Sequence, residues 1–327
     1  MRYLDNVGFP DSNADLLVGF IEAKRASGYA YAGAVVYVVR RLALFLESRG
    51  DGGVLTEEAA AEWTRRRDGE SAGTQAIRAN VARQYGLYLR SLGIEGYVLP
   101  SKMKPREKTG FEPFIFSEEQ IRAVAGVLDG EPPSLAWPNA RVVYPLLFRM
   151  LYGCGLRISE ALSLRGRDVD TAAGTLDVVD GKSGSRRVPM SASLTRRCAE
   201  YVDSMGPSVT GGNYFFPGME GKGGDHLDRC SARVHLQGAF AAAGVLTAEG
   251  KPPRVHDLRH TFVCHAIEKA SAEGMDPNVA LPALSVMVGH RSIGMTQRYI
   301  HLTDPARAKV VGKMAGSSGL VLQEVES

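Results

Sequence analysis

From residue 14 to residue 92, apolar positions recur at helical spacing. Val35, Val38, Val39, Leu42, Phe45 and Leu46 share one face of a 3.6-residue repeat. The pattern predicts helices over 14–28, 31–49, 56–68 and 72–92. Thr56 followed by Glu57 and Glu58 offers a cap and then acids in a first turn. Gly28 and Gly50 stand where helices should stop.

Periodicity is lost over 93–116. Pro100, Pro105 and Pro113 fall here with Lys102, Lys104, Arg106 and Lys108. This reads as a basic linker over 96–116 between a helical domain at 1–95 and a second domain at 117–310. A solvated connector and a segment that touches phosphates both fit it. Ser117-Glu-Glu-Gln120 has the capping-box pattern that opens a helix. Helices are predicted at 118–128, 139–153, 193–204, 228–243, 256–272, 279–288 and around 293–301. Between them, the β-prone runs Leu176–Val179 and Arg187–Met190 flank Gly181-Lys-Ser-Gly184, which predicts a small antiparallel sheet with a tight turn. The expected class is mainly α with a small antiparallel β-sheet (α+β). Residues 311–327 form a Gly/Ser-rich tail that turns apolar at Leu320, Val321 and Leu322.

Composition narrows the picture only slightly. The chain has 327 residues, 44% hydrophobic and 23% charged, as two soluble globular domains would. No run approaches the roughly 18–20 apolar residues of a membrane span. The first residues carry acids and no apolar core, so no leader is read and the expected compartment is the cytoplasm. Cys154, Cys198, Cys230 and Cys264 are far apart, which argues against a disulfide framework or a zinc ribbon. Net charge is +3, with 16 Lys+Arg against 13 Asp+Glu in residues 1–110 and 23 of each in the remainder. Any broad attraction for phosphate therefore lies in the first third, or in local patches.

Four segments carry candidate chemistry. They are Gly155-Leu-Arg-Ile-Ser-Glu-Ala-Leu162, Gly181-Lys-Ser-Gly-Ser-Arg-Arg-Val-Pro189, His256-Asp-Leu-Arg-His-Thr261, and Val288-Gly-His-Arg-Ser-Ile293 leading to Thr296-Gln-Arg-Tyr-Ile300. Singly, each has a plain reading. Arg157 suits a helix surface paired with Glu160, and Lys182 suits an exposed turn. His256 and His260 stand at i and i+4, as zinc ligands can, but no Glu follows His256 and no third ligand has a characteristic spacing. Gly181-Lys-Ser183 looks like the end of a P-loop, yet the position that needs the earlier glycine is Leu176 and β-prone sequence follows. No cofactor or metal is expected.

Together, in order, residue type and spacing, the segments resemble the boxes of the tyrosine recombinase (phage integrase) family. Arg157 sits in the first arginine box. Lys182 falls in the hairpin that carries the family lysine. His256 and Arg259 form the H-x-x-R box, Gly289-His290 matches the G-H box, and Tyr299 follows nine residues after His290. The resemblance covers about 115–310. The helical domain at 1–95 is similar to the family's core-binding domain in position and size only. Arg259 and His290 lie 31 positions apart, longer than in the shortest members, with the added residues around Ala270 to Leu281. In this respect the run Asn278 to His290 looks like transposon and mobile-element recombinases.

The resemblance implies cleavage and rejoining of double-stranded DNA through a 3′-phosphotyrosine, with Tyr299 as nucleophile. The side chains suit these roles. Arginines stay charged and offer paired donors to phosphate oxygens, so Arg157 and Arg259 are the expected clamp. A phenol of pKa about 10 needs help with its proton, and His256 is the expected acceptor. Lys182 would protonate the leaving 5′-hydroxyl, and His290 would hydrogen-bond the phosphate. Glu160 and Asp257 are expected to orient Arg157 and the helix that carries Arg259. Arg186, Arg187 and Arg254 are basic neighbours for which phosphate contact and surface solvation both fit.

The family further implies a homotetramer on DNA, and since its tails often dock on a neighbouring protomer, Leu320 to Leu322 packing in trans and a disordered terminus both fit the tail. It leaves open a monomer in free solution and accessory proteins of the element as partners. Two other functions stay open at this point. One is a DNA-relaxing enzyme like type IB topoisomerases. The other is a DNA-binding relative that does not cleave, although no expected catalytic residue is missing.

Overall fold

The structure, a computed structural model, describes residues 8–29, 31–101, 112–132, 137–179, 184–218, 226–289 and 299. Residue contacts divide the chain into two units, Met1–Phe111 and Glu112–Ser327. The division falls inside the stretch 96–116.

The first unit contains four helices: α1 (Ala14–Ala26), α2 (Ala34–Arg49), α3 (Glu57–Thr64) and α4 (Ala72–Ser91). Helix α2 begins three residues later than its periodicity predicts, because Gly33 takes a left-handed φ of 54° that no helix tolerates. Thr56 caps α3 by accepting from the Ala59 N–H. Burying Phe20, Leu42, Leu46, Trp63, Tyr85 and Leu89 in one cluster holds the four helices together. The segment after α4 returns across it at Gly86, where a Cβ would lie 2.1 Å from the Tyr97 carbonyl oxygen.

The first helix of the second unit opens at Ser117, whose side chain and that of Gln120 cap α5 (Glu118–Asp129) reciprocally. Then follow α6 (Ala140–Gly153), α7 (Ile158–Ser163), β1 (Val169–Asp170), β2 (Thr175–Val178), β3 (Arg186–Pro189), α8 (Ala192–Met205), α9 (Arg229–Ala242), α10 (Asp257–Ala272) and α11 (Pro277–Val288). The sheet is antiparallel in the order β1-β2-β3, with Asp177 opposite Arg187. Its class is as expected, but α7 and β1 are additions. One is six residues long and the other two, too short for any periodicity to show.

A large apolar cluster joins α5, α6, α8 and α9 around Phe116, Phe148 and Phe240. A second cluster lies between α10 and α11, and Tyr299 belongs to it. Among the described residues, no helix is long and apolar enough to cross a membrane. Lys102, Lys104, Arg106, Lys108, Lys182, His290 and the tail 311–327 lie outside the described residues, as does the helix expected around 293–301 apart from Tyr299.

Candidate active site

The site begins at a glycine. Gly155 has a left-handed φ of 60°, and a Cβ there would lie 2.4 Å from the Phe262 ring. The turn aims the Gly155 carbonyl at α10, where it accepts from Arg259 Nη1 at 2.8 Å. Two residues later Arg157 stands at the N-terminal edge of α7. Glu160, in the first turn of α7, reaches back to it. The Arg157 N–H donates to Glu160 Oε2 at 2.9 Å, and its Nη1 donates to Oε1 at 2.6 Å.

Glu160 is the centre of the arrangement. Arg186 Nη2 donates to its Oε2 at 2.8 Å, and Arg259 Nη1 lies 3.7 Å from the same oxygen. One carboxylate thus serves three guanidiniums from three separate elements. Burial alone would raise the Glu160 carboxyl. Hydrogen bonds from Arg186 and from the Arg157 backbone and side chain override it and hold the group at about 2. Arg259 is driven the other way, down to about 9, by burial and then by Arg157. It keeps its proton at neutral pH all the same.

The end of α11 completes the frame. A helix C-terminus leaves carbonyls without helical partners and carries partial negative charge. Three successive carbonyls are taken by the three arginines. Arg186 Nε donates to Met287 O at 2.6 Å, Arg259 Nη2 donates to Val288 O, and Arg157 Nη2 donates to Gly289 O at 3.3 Å. Gly289 ends the helix in the left-handed region at φ 63°. The side chains of Arg259 and Arg186 are 2% and 6% exposed, while that of Arg157 is 21% exposed. Arg157 is therefore the most open member of the cluster. With three positive charges against one carboxylate, the site holds a surplus suited to an anion with several oxygens.

Tyr299 lies beside this cluster. Its ring is 6% exposed and packs among Ile267, Leu281, Leu284 and Val288 in the seam of α10 and α11. Its hydroxyl lies 2.5 Å from His260 Nδ1. The expectation named His256 as the partner of the phenol. The structure puts His260 there and sets the His256 ring edge-on against His260, with centroids 4.9 Å apart. The cause is helical geometry, since His256 precedes α10 and His260 lies one turn along it. Burial lowers both imidazoles. Arg259, Arg254 and Arg157 add to the effect at His256, and the proximity of His256 carries His260 down to about 4. Arg259 in turn feels Tyr299 electrostatically.

The remaining predicted residues separate into groups. Asp257 is buried and accepts from the Arg254 N–H at 2.9 Å and from Arg254 Nη2 at 2.7 Å, which ties down the start of α10. Arg187 pairs across the sheet with Asp177 and is exposed. Arg186 was expected to face phosphate or solvent. It is turned inward instead, because Glu160 and Met287 O occupy its guanidinium. Sequence reasoning missed that inward turn and the role of His260. The position of His260 four residues after His256 was the available signal. Among the described residues, no group of three or more His, Cys, Asp or Glu could hold a metal.

With this geometry in view, the similarities to known proteins are coherent. The sequence model of the phage integrase family matches residues 133–305, more than half of the chain. Tyrosine recombinase XerD of Rhizobium meliloti is 28% identical over 304 residues, covering 90% of this chain and 93% of that protein. Among solved structures, the XerH site-specific recombinase bound to palindromic difH substrate superposes with a TM-score of 0.64 at 14% identity. That match covers 90% of this chain and 94% of that one. The Tn1549 transposon integrase in complex with transposon right end DNA gives a TM-score of 0.60 at 18% identity, covering 92% and 99%. The chain accordingly belongs to the phage integrase family and is a tyrosine-type site-specific DNA recombinase.

Proposed function

We propose that the protein breaks and rejoins double-stranded DNA through a 3′-phosphotyrosyl intermediate on Tyr299, and that its substrate is the ends of a mobile genetic element. The observation that carries this reading is the Tyr299 hydroxyl set 2.5 Å from His260 on the helix turn that also bears Arg259. Attack forms the bond from Tyr299 Oη to phosphorus and breaks the bond to the 5′-oxygen, which leaves as a hydroxyl. Arg157 and Arg259 meet the charge that builds on the non-bridging oxygens, a role worth about 3–4 kcal/mol per well-placed donor. Glu160 orients both arginines. His256 assists with the phenol proton, His290 hydrogen-bonds the phosphate, and Lys182 supplies the proton to the leaving oxygen. Bond energy is conserved, so a partner strand's 5′-hydroxyl reverses the step without ATP.

Two duplexes and four sites are needed for exchange, so the acting form is a tetramer on DNA. The first unit and the basic stretch 102–108 contact phosphates. The long Arg259–His290 interval supports a mobile element as substrate, because it is similar to transposon recombinases in that interval. The test is a nicked suicide duplex made from the ends of the DNA element that encodes the protein. Wild type is expected to form a covalent adduct that Tyr299→Phe cannot form. An adduct that persists in Tyr299→Phe would overturn the reading.

A further inference from the structure

We infer that His260 is a positioning residue for the Tyr299 nucleophile: its Nδ1 accepts the phenol O–H and aims the oxygen beside Arg259 before phosphate arrives. This rests on the assignment of Tyr299 as nucleophile made above.

Four observations support it. The distance from Tyr299 Oη to His260 Nδ1 is 2.5 Å, with the two rings tilted by 36°. The His256 ring meets that of His260 at 85°, which restrains the imidazole plane. The Tyr299 ring is packed in the α10–α11 seam, so its hydroxyl has little freedom to wander. Finally, the groups around His260 are His256, Asp257, Arg254, Arg259 and Tyr299, and burial and the positive members keep its imidazole neutral.

A neutral imidazole has one bare nitrogen that can accept. Arg259 interacts electrostatically with Tyr299, and a guanidinium, which only donates, leaves the phenol O–H for Nδ1. An imidazole held at about 4 is a poor base for a phenol of pKa about 10. Its contribution is therefore orientation, and the proton passes during attack to His256, the acceptor proposed above. The misplacement of a reacting atom by about 1 Å can cost 100-fold in rate, which sets the scale of the expected effect.

The experiment is single-turnover cleavage of the nicked suicide duplex by wild type, His260→Ala, His260→Asn and Tyr299→Phe, with DNA affinity measured in parallel by gel shift. The Asn side chain puts a carbonyl oxygen near the place of Nδ1 but cannot take a proton. His260→Ala is expected to bind DNA as wild type does and to cleave about 10- to 100-fold more slowly. His260→Asn should stay within about fivefold of wild type. In the free protein, ¹⁵N spectra of the imidazole should show a bare Nδ1 that shifts in Tyr299→Phe.

Cleavage by His260→Ala at the wild-type rate would overturn the inference. So would an Asn variant as slow as Ala, since that result makes His260 a proton acceptor. A protonated Nδ1 in the free protein would also overturn it. Adduct formation by Tyr299→Phe would instead remove the nucleophile assignment, so the two failures are told apart.

Discussion

Each unit of this recombinase buries arginine against carboxylate, but the two clusters differ in stoichiometry. In the first unit, among the described residues, the Glu70 side chain hydrogen-bonds a single guanidinium, that of Arg78. Its Nε and Nη2 reach the two carboxylate oxygens at 2.7 and 2.6 Å, and further donors go to the carbonyls of Trp63 and Arg65. The indole N–H of Trp63 donates back to the Arg78 carbonyl at 3.2 Å. One guanidinium holds the carboxylate by hydrogen bonds, and Arg67 adds its backbone N–H. The pair fastens the connection between α3 and α4. In the second unit one carboxylate holds three guanidiniums, and the balance is left for something outside the protein. A matched buried pair is architecture. An unmatched one is a receptor, and the carboxylate is what lets the receptor exist without its anion.

Removing the carboxylates should separate the two. Glu160→Ala is expected to cost about 3–5 kcal/mol of stability, since it strands buried charge. The loss would appear as a lower urea midpoint, with DNA cleavage abolished in the same preparation. Replacing both members of a pair is the sharper comparison. Arg78→Met with Glu70→Leu should regain most of the stability that Arg78→Met alone loses, because no second guanidinium hydrogen-bonds Glu70 among the described residues. Arg186→Met with Glu160→Leu should regain little, because Arg157 and Arg259 then face each other without a counter-charge. Equal rescue in both units would break the distinction. Arg187→Ala removes an exposed cross-strand pair and should leave the urea midpoint unchanged.

A further effect is expected on pH dependence. His260 is held at about 4 in the folded protein, against an ordinary 6.5. Between those values the unfolded chain takes up a proton that the folded one refuses, so stability falls as pH drops from 6.5 to 4. Thermal melts of His260→Asn should be flatter across that window. The Glu160 carboxyl acts lower, and its support is lost progressively as pH falls from the ordinary 4.5 through about 2.

Much of this site was legible in the sequence because its parts are local. Arg157 with Glu160 and His256 with Arg259 each lie within one helical turn, and Tyr299 is fixed by its distance from the Gly-His pair. What was hidden is what the fold brings together from far apart. Arg186 and Glu160 are 26 positions apart, and nothing in a hairpin arginine says whether it points in or out. The acceptors on α11 are backbone carbonyls, which every residue carries, so they have no signature at all. In the fold, the longer helices showed in their periodicity, whereas α7 and β1 did not. The start of α2 was misplaced because apolar spacing does not reveal which glycine adopts a left-handed turn.

The three carbonyls at the end of α11 work as a ruler. Those of Met287 and Val288 are spaced by the rise of the helix, about 1.5 Å, that of Gly289 follows at the left-handed cap, and each is read by a different arginine. One residue inserted within α11 would rotate its end by about 100° relative to the arginines and misaddress all three together. Length can change safely only where no arginine measures it. The turn 273–276, with Gly274 at a φ of 83°, is such a place. The long spacing between Arg259 and the Gly-His pair is thus tolerable to the extent that it is absorbed ahead of α11, in a turn that the ruler does not count.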